Sequence, residues 1–465
     1  MERTLLLFPA LLLTACTSLA PPYDRPAAPV AERYEDAQPE PGEVAGELAW
    51  QDYFTDARMQ ALIAGALQNN RDLRAAVARV EQARAAHGIQ RADRLPTLAA
   101  RLGEDRQRTP ADLNLTGRPL LASAYQVDLG LASWELDFWG GVRNLEGAAL
   151  ESYLASAEAR RALQLSLIGQ VANGELALRE LDERLAIARQ TVASRAESLR
   201  IFGRRVEVGA TSRLALTQVQ TLLSQAEALA AQLEQARAAQ AQSLSLLVGA
   251  PLPAGSAPAL EATALLPLRS GLPAELLNRR PDLLAAEHRL KATHASIGAA
   301  RAAFYPRISL TAAFGTASAE LGGLFAPGSQ AWTISPQLAL PLLDGGRRDA
   351  NLSLAEARRE EALAAYEGAV QAAFRDVNDA LGARRWLATQ LRVAEDSLAA
   401  QRERARLATL RYDNGAAAFL EVLDAQRDLL AAEQQRVQAR RALLSSQVSL
   451  YAALGGGAAL KNDTP

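Results

Sequence analysis

The chain has 465 residues, and 50 Lys and Arg against 52 Asp and Glu give a net charge of −2, too near neutrality for a protein that holds nucleic acid by bulk charge. A single cysteine, Cys16, excludes an intramolecular disulfide and a thiolate metal cage. Three histidines (His87, His288, His294) without HExxH spacing leave little scope for zinc chemistry. Alanine and leucine dominate and aromatics make up 5%, a composition suited to long, closely packed helices.

At the N-terminus, Met1-Glu2-Arg3 precedes an apolar run, Thr4 to Leu13. The run is shorter than the ~20 residues that span a bilayer, and it fits the core of a secretory signal. Leu13-Thr14-Ala15-Cys16 follows and resembles the bacterial lipobox, in which the signal is cut before the cysteine and its thiol carries a diacylglycerol. Residues 1–15 therefore read as a signal peptide, with Cys16 as the lipidation site. The proline-bearing stretch 16–56 reads as a tether. No later run of 18 apolar residues predicts a transmembrane helix.

The remainder is one unit written twice. A shift of 210 lays Asp72, Leu73, Ala75, Ala76 and Arg79 on Asp282, Leu283, Ala285, Ala286 and Arg289, and 10 of the 25 positions from 72 to 96 match. A shift of 206 lays Arg205, Gly209, Ala210, Leu214 and Gln220 on Arg411, Gly415, Ala416, Leu420 and Gln426. The first repeat is read as 57–249, the linker as 250–273, the second repeat as 274–456, and the C-terminal tail as 457–465.

Each repeat opens with a predicted helix, roughly 57–93 and 274–303. Period-two stretches then predict a β-hairpin, about 96–138 and 306–342. Tyr125, Val127, Leu129 and Leu131 alternate with polar or small residues, as do Ile308, Leu310, Ala312 and Phe314, and Trp332, Ile334, Leu338 and Leu340. Leu98, Ala100 and Leu102 form the fourth, less regular stretch. The turns are placed at Thr109–Pro119 and Glu320–Gln330, which carry Gly and Pro. Proline-free runs from Gly141 to Arg204 and from Gly346 to Tyr412 predict very long helices, about 95 Å at 1.5 Å per residue. Gly209 and Gly415 reverse them, and Thr211-Ser212 offers a cap for the first return helix. Leu423, Leu430, Val437, Leu444 and Tyr451 recur every seven residues as a coiled-coil seam. Each return helix, about 38 residues, is expected to stack end to end with the helix that opens its half.

Four amphipathic strands, apolar on one face and polar on the other, suit a membrane barrel with a wet lumen. Four strands cannot close a barrel, and lipid does not tolerate open edges. Several copies are therefore needed, and three copies supply an even number inside the usual range.

With these features the chain resembles the TolC-type outer-membrane efflux factors, in particular the lipoprotein branch resembling OprM. The residues that carry the resemblance are Cys16, Trp134-Glu-Leu-Asp-Phe-Trp-Gly140, Leu277-Asn-Arg-Arg-Pro-Asp282, Ala299-Ala-Arg-Ala-Ala-Phe-Tyr-Pro306, Phe374-Arg-Asp-Val-Asn-Asp-Ala-Leu381 and Leu450-Tyr-Ala-Ala-Leu-Gly-Gly-Gly457. Asp376 stands where the family more often has Glu. The resemblance implies an α+β membrane protein: a homotrimer with a 12-stranded transmembrane β-barrel, four strands per chain, continuing into a periplasmic α-helical coiled-coil barrel. It implies a place in the outer membrane, lipid-anchored and extending into the periplasm, with a periplasmic adaptor and an inner-membrane RND-type pump as partners. No cofactor is implied beyond the covalent diacylglycerol and N-acyl lipid on Cys16.

The same resemblance assigns sites. Val208, Gly209, Ala210 and Thr211, with Asn414, Gly415 and Ala416, become the helix tips that meet the adaptor. Leu420, Asp424 and Arg427 become the periplasmic gate, and Gln218 stands at the equivalent acid position of the first repeat. Without it, the tips are helix-reversal turns and Asp424–Arg427 is a surface ion pair of little energetic weight. No Ser-His, Cys-His or phosphate-loop set appears, so an enzyme is not expected, and His288 and His294 are expected at the surface. Type I protein secretion and metal efflux remain alternative cargoes, and a periplasmic coiled-coil adaptor is a further alternative.

Overall fold

A computed structural model describes residues 18–35, 43–253, 258–269, 271 and 273–457. Among these, β1 is Glu43–Val44, followed by helices α1 (Trp50–Tyr53), α2 (Ala57–Asn69) and α3 (Arg71–Ala92). Strands β2 (Leu98–Thr109) and β3 (Leu120–Glu135) precede the 67-residue helix α4 (Gly141–Glu207) and its return α5 (Arg213–Val248). The second half has β4 (Leu268–Arg269), α6 (Pro273–Arg279), α7 (Pro281–Ala302), β5 (Arg307–Ser318), β6 (Gln330–Ala339), α8 (Arg347–Asp413, 67 residues) and α9 (Phe419–Ala453). No described helix is long and apolar enough to cross a membrane.

The described residues divide into two compact units. One lies within Met1–Ala27, Arg79–Ala157 and Ala285–Tyr366, the other within Ala28–Ala78, Glu158–Leu284 and Glu367–Pro465.

The first unit holds a four-stranded antiparallel sheet in the order β2-β3-β5-β6, so β2 and β6 are its edges. Residues paired across strands share a face. Leu98, Ala100 and Leu102 lie opposite Leu131, Leu129 and Val127. Leu129 then meets Phe314, and Phe314 meets Trp332. Ala312 meets Ile334 and Ile308 meets Leu338 on the same face. The other face pairs Arg101 with Asp128, Thr311 with Ser335 and Ser309 with Gln337. A bulge between Leu131 and Trp134, with Ser133 at φ 44, inserts one residue and keeps Trp134 on the apolar face opposite Leu310. The apolar face is bare: Leu102 is 79% exposed, Trp332 69% and Leu338 64%.

Beside the sheet, the N-terminal segment is strapped to α4 and α7. Ser18 Oγ donates to Asn144 Oδ1 at 2.8 Å, and Tyr23 OH donates to Glu287 Oε1 at 3.1 Å. Arg25 pairs with Glu287 Oε2 at 2.7 Å, and Lys291 reaches Oε1 of the same carboxylate at 3.0 Å. Gly298 makes room for the strap, since a Cβ there would lie 2.7 Å from Ala20 N and 2.5 Å from Asn144 Nδ2. His288 is part-buried on Glu151, Nδ1 to Oε2 at 2.6 Å, and His294 meets the Tyr23 ring edge-on at 5.4 Å. Neither histidine is the plain surface residue expected from the sequence, because the strap and α4 cover them.

In the second unit, α4 and α5 close on Leu185, Ala188, Ala230 and Leu233. The seam expected in α9 is buried at Leu423, Val437, Leu444 and Tyr451, and Leu430 is half-buried. Glu175 and Arg179, both fully buried, form an ion pair at 2.9 Å that also takes in Arg58 and Asp56. Arg179 further donates to Thr263 Oγ1 at 2.9 Å, which fixes the linker to α4.

Two expectations are corrected here. The opening helices are not continuous, because 57–93 breaks at Asn70 and 274–303 breaks at Arg280. Asn70 is the C-cap of α2, with ψ 130, and its Oδ1 caps α3 by accepting from Leu73 N–H at 3.0 Å. In the second repeat Pro281 begins a new helix, where its missing N–H costs nothing. The stretches read as tether and linker are also partly structured: β1 pairs in parallel with β4, and Phe54 bridges Leu265. Tyr53 and Tyr451 stack at 4.2 Å, and Tyr451 OH donates to Leu48 O at 2.9 Å.

End-to-end stacking of the return helices is present in both halves. Asn70 Nδ2 donates to Leu247 O at the C-terminus of α5, and Arg280 Nη1 donates to Ala453 O at the C-terminus of α9. Gly249 (φ 72) lies so close to Asn69 O that a Cβ there would sit 2.6 Å away, and Gly455 (φ 74) abuts Arg279 O in the second half. Burial works against the Arg280 charge, but Asp282 at 2.6 Å and Asp376 at 3.4 Å hold its pKa above the ordinary value.

Candidate functional site

The two helix reversals are built alike. Ala210 N–H donates to Arg205 O at 2.7 Å and Gly209 N–H to Val206 O at 3.0 Å. Ala416 N–H donates to Arg411 O at 2.8 Å and Gly415 N–H to Tyr412 O at 2.9 Å. Gly209 and Gly415 have φ of +73° and +69°, the left-handed position that this double-bonded helix end requires. Val208, Ala210, Thr211, Asn414 and Ala416 surround these glycines, and Val208 is 72% exposed. The starts of the return helices differ. Ser212 Oγ accepts from Ala215 N–H at 3.2 Å, whereas Ala418 provides no side-chain cap to α9.

Beyond the second reversal, α9 sorts its residues by face. Val422 and Ala425 pack on Ala405 and Ala408 of α8. Leu423 packs on Phe202 and Val219 of the first hairpin. Leu420, Asp424 and Arg427, at spacings of four and three, occupy the remaining stripe. Leu420 is 49% exposed, and Asp424 Oδ1 meets Arg427 Nη1 at 3.2 Å. The structure thus brings the three expected gate residues onto one solvent-facing stripe. Leu214, the repeat mate of Leu420, is also exposed.

Asp428 was not singled out from the sequence, yet it joins the group. It accepts from Arg404 at 2.6 Å and from Arg427 at 3.1 Å. The Arg404 hydrogen bond, aided by Arg427, holds its carboxyl below the ordinary aspartate range. Arg427 is therefore shared between Asp424 and Asp428. The aromatic cluster at the tips was missed as well. Phe419 packs on Phe202 at 4.3 Å and on Tyr412 at 4.9 Å between ring centroids. Arg205 lies over the Phe202 ring at 5.4 Å and donates to Tyr412 OH. The repeat match Arg205/Arg411 was the available signal, but it does not reveal a contact between residues 207 apart. Cys16 lies outside the described residues. Among the described residues, no group of three or more His, Cys, Asp or Glu is arranged to hold a metal.

A sheet with a bare apolar face, a polar reverse face and two open edges defines a strand set of a membrane channel. The chain belongs to the outer membrane efflux protein family, whose profile matches residues 62–250 and 272–456. It is 44% identical to outer membrane protein OprJ of Pseudomonas aeruginosa over 456 residues, covering 96% of this chain and 94% of OprJ. It is 41% identical to the solvent efflux pump outer membrane protein SrpC of Pseudomonas putida, covering 98% of each. A crystal structure of a membrane protein from Pseudomonas aeruginosa matches with a TM-score of 0.90 and 42% identity, over 95% of this chain and 98% of that one. The open state of the Neisseria gonorrhoeae MtrE outer membrane channel matches with a TM-score of 0.87 and 37% identity, over 95% and 98%. The family is one of outer-membrane channels, not of enzymes.

Proposed function

We propose that the chain is the outer-membrane channel of a tripartite efflux system, conducting drugs, solvents or other small molecules passively from periplasm to exterior. Three copies share one 12-stranded barrel, so each open edge strand, β2 or β6, is paired by a neighbouring copy. The helix tips at 208–211 and 414–416 receive a periplasmic adaptor, which links the channel to an inner-membrane RND-type pump. Cys16 carries the lipid anchor, and the chain has no catalytic role. The open-edged sheet with its bare apolar face is the observation that supports this reading. Similarity to named solvent and toluene efflux components of Pseudomonas putida supports the cargo class.

The gate is Leu420 and Asp424, compensated by Arg427. Three leucines around one axis exclude water, and three carboxylates repel one another. The closed ring is therefore marginally stable, and a few kcal/mol of adaptor contact opens it. Leu420→Ala with Asp424→Ala should raise single-channel conductance in planar bilayers. Ala431→Ser, at an exposed position of the same helix, should not. A double variant that conducts like the parent would place the constriction elsewhere. Cys16→Ser should abolish incorporation of labelled palmitate, and the folded protein should still need detergent. A water-soluble, folded monomer would overturn the channel reading.

A further inference from the structure

The apolar face of β2 does not run the length of the strand. Leu98, Ala100 and Leu102 lie on it, and period-two alternation then places Glu104, Arg106 and Arg108 on the same face. The β2–β3 register is unbroken from Leu98↔Leu131 to Thr109↔Leu120, so no slip moves these side chains to the other side. Glu104 lies opposite Tyr125, Arg106 opposite Ser123 and Arg108 opposite Leu121. The strand leaves α3 at Leu98 and ends at the hairpin turn, so the arginines lie at the end of the hairpin remote from the helices.

The Glu104–Tyr125 pair marks where the apolar face ends. Tyrosine sits at the edge of a lipid-facing band, ring toward the hydrocarbon and hydroxyl toward water, and Tyr125 lies directly across the strand pair from Glu104. Arg106 is the next outward-facing residue, about 7 Å further along the strand, close enough for its side chain to reach back to the headgroup layer. Both guanidiniums are exposed, and among the described residues neither is within ion-pair distance of a carboxylate. Glu104 on the same face offsets only one of the two positive charges, Asp105 is on the opposite face, and Asp112 and Arg118 in the turn are of opposite sign. The far end of the second hairpin, residues 316–332, has one charged residue, Glu320, and no cation. The positive charge is thus confined to the first hairpin, just above the apolar band.

We propose that Arg106 and Arg108 form a docking surface for the phosphate groups of lipid headgroups in the outer leaflet of the outer membrane. A guanidinium presents a planar fork that matches phosphate in a bidentate contact. Continuity with the apolar band favours a lipid over a free anion, because the acyl chains of the same molecule lie against Leu102, Val127 and Leu129. The inference rests on the outer-membrane reading above.

The test uses the full-length protein purified in detergent and reconstituted with vesicles containing bisphosphorylated lipid A. The parent should retain this lipid on the order of tenfold more strongly than its dephosphorylated form, with retention falling as salt rises. Arg106→Ala with Arg108→Ala should remove the difference, while Arg101→Ala, on the opposite face of the same strand, should leave it intact. Arg106→Gln with Arg108→Gln keeps longer side chains and should behave like the alanine pair. Equal retention of the two lipids by the parent, or undiminished discrimination by either double variant, would overturn the proposal. Displacement of the lipid by millimolar inorganic phosphate would also overturn it, by showing a simple anion site. Failure of discrimination in a detergent-requiring trimer leaves the channel reading standing, whereas a water-soluble parent removes that reading itself.

Discussion

The side-chain amide of Asn70 donates to the carbonyl oxygen of Leu247 at 2.9 Å. Its Oδ1 at the same time accepts the Leu73 N–H at 3.0 Å. One side chain therefore satisfies the last turn of α5 and the first turn of α3, two helix ends whose backbone groups lack partners of their own. Asn70→Ala removes both bonds and should destabilise the protein by about 1–2 kcal/mol, seen as a lower midpoint of thermal unfolding. Asn70→Asp keeps the cap and loses the donor, so it should fall between parent and Ala.

A second expectation concerns the sheet. A Cβ at Gly315 would overlap Val127 O and lie 2.6 Å from Asp128 Cα, so β3 and β5 approach each other only because no side chain is there. Gly315→Ala should sharply reduce the heat-resistant assembled form on gels. Gly103→Ala, whose Cβ would meet only the Gln126 side chain at 3.9 Å, should not.

The strap offers a third. Gly298→Leu drives a side chain into Ala20 and Asn144, so the segment around Arg25 should become much more sensitive to trypsin. The sheet should stay assembled. Unchanged cleavage would mean that the strap is held by contacts other than this slot.

Strap docking should also weaken in acid, in two steps. Burial, followed by the nearby Arg359 charge, holds the His294 pKa below its usual value, against a backbone contact at Pro21 that raises it. The docked state thus prefers neutral His294, and its advantage diminishes as pH falls below about 6.5. Burial of Glu287 opposes its ionisation, but Arg25 and Lys291 outweigh that and lower its pKa. Its contribution is present above about 4.3 and is lost as pH falls through the lower folded value. Tyr23, Lys291 and the buried Tyr366 also face this pair of groups. Cleavage near Arg25 by proteinase K should rise in both ranges, and His294→Asn should abolish the upper step alone.

At the tips, Phe419→Ala removes a ring that packs on both Phe202 and Tyr412. It should cost roughly 3 kcal/mol locally, read as faster hydrogen exchange in residues 199–223 and 405–425. Tyr412→Phe loses only the bond from Arg205 and should cost about 1 kcal/mol.

What the sequence disclosed follows from the range of the forces involved. The hairpin turns were legible to within a residue or two because Gly and Pro punctuate them locally, as in Thr109–Pro119 against the strand ends Thr109 and Leu120. Gly209 and Gly415 were legible for the same reason, and the stripe of Leu420, Asp424 and Arg427 follows from helical period. The break at Arg280–Pro281 was also marked, since a residue before proline avoids the helical region, but the surrounding periodicity concealed it. The break at Asn70 was not marked, because its second partner, Leu247, is 177 positions away. The pairing of β1 with β4 spans two residues on each strand, too short for any alternation to show. The Asp428 pairing depends on packing of α9 against α8, and the Arg205–Tyr412 contact on packing between the hairpins, neither of which a local pattern encodes.

The unequal caps of the return helices have a consequence for how the two halves have diverged. Ser212 holds the first turn of α5, whereas Ala418, at the capping position before α9, has no side chain to tie the leading amides. A missing cap lowers the cost of fraying by about 1 kcal/mol, and that first turn of α9 contains Leu420. Duplication gave the chain two equivalent hairpins, and a single hydroxyl now separates a stiff copy from a copy able to yield. The asymmetry is portable: Ala418→Ser would transplant stiffness to the yielding half, and Ser212→Ala would loosen the other.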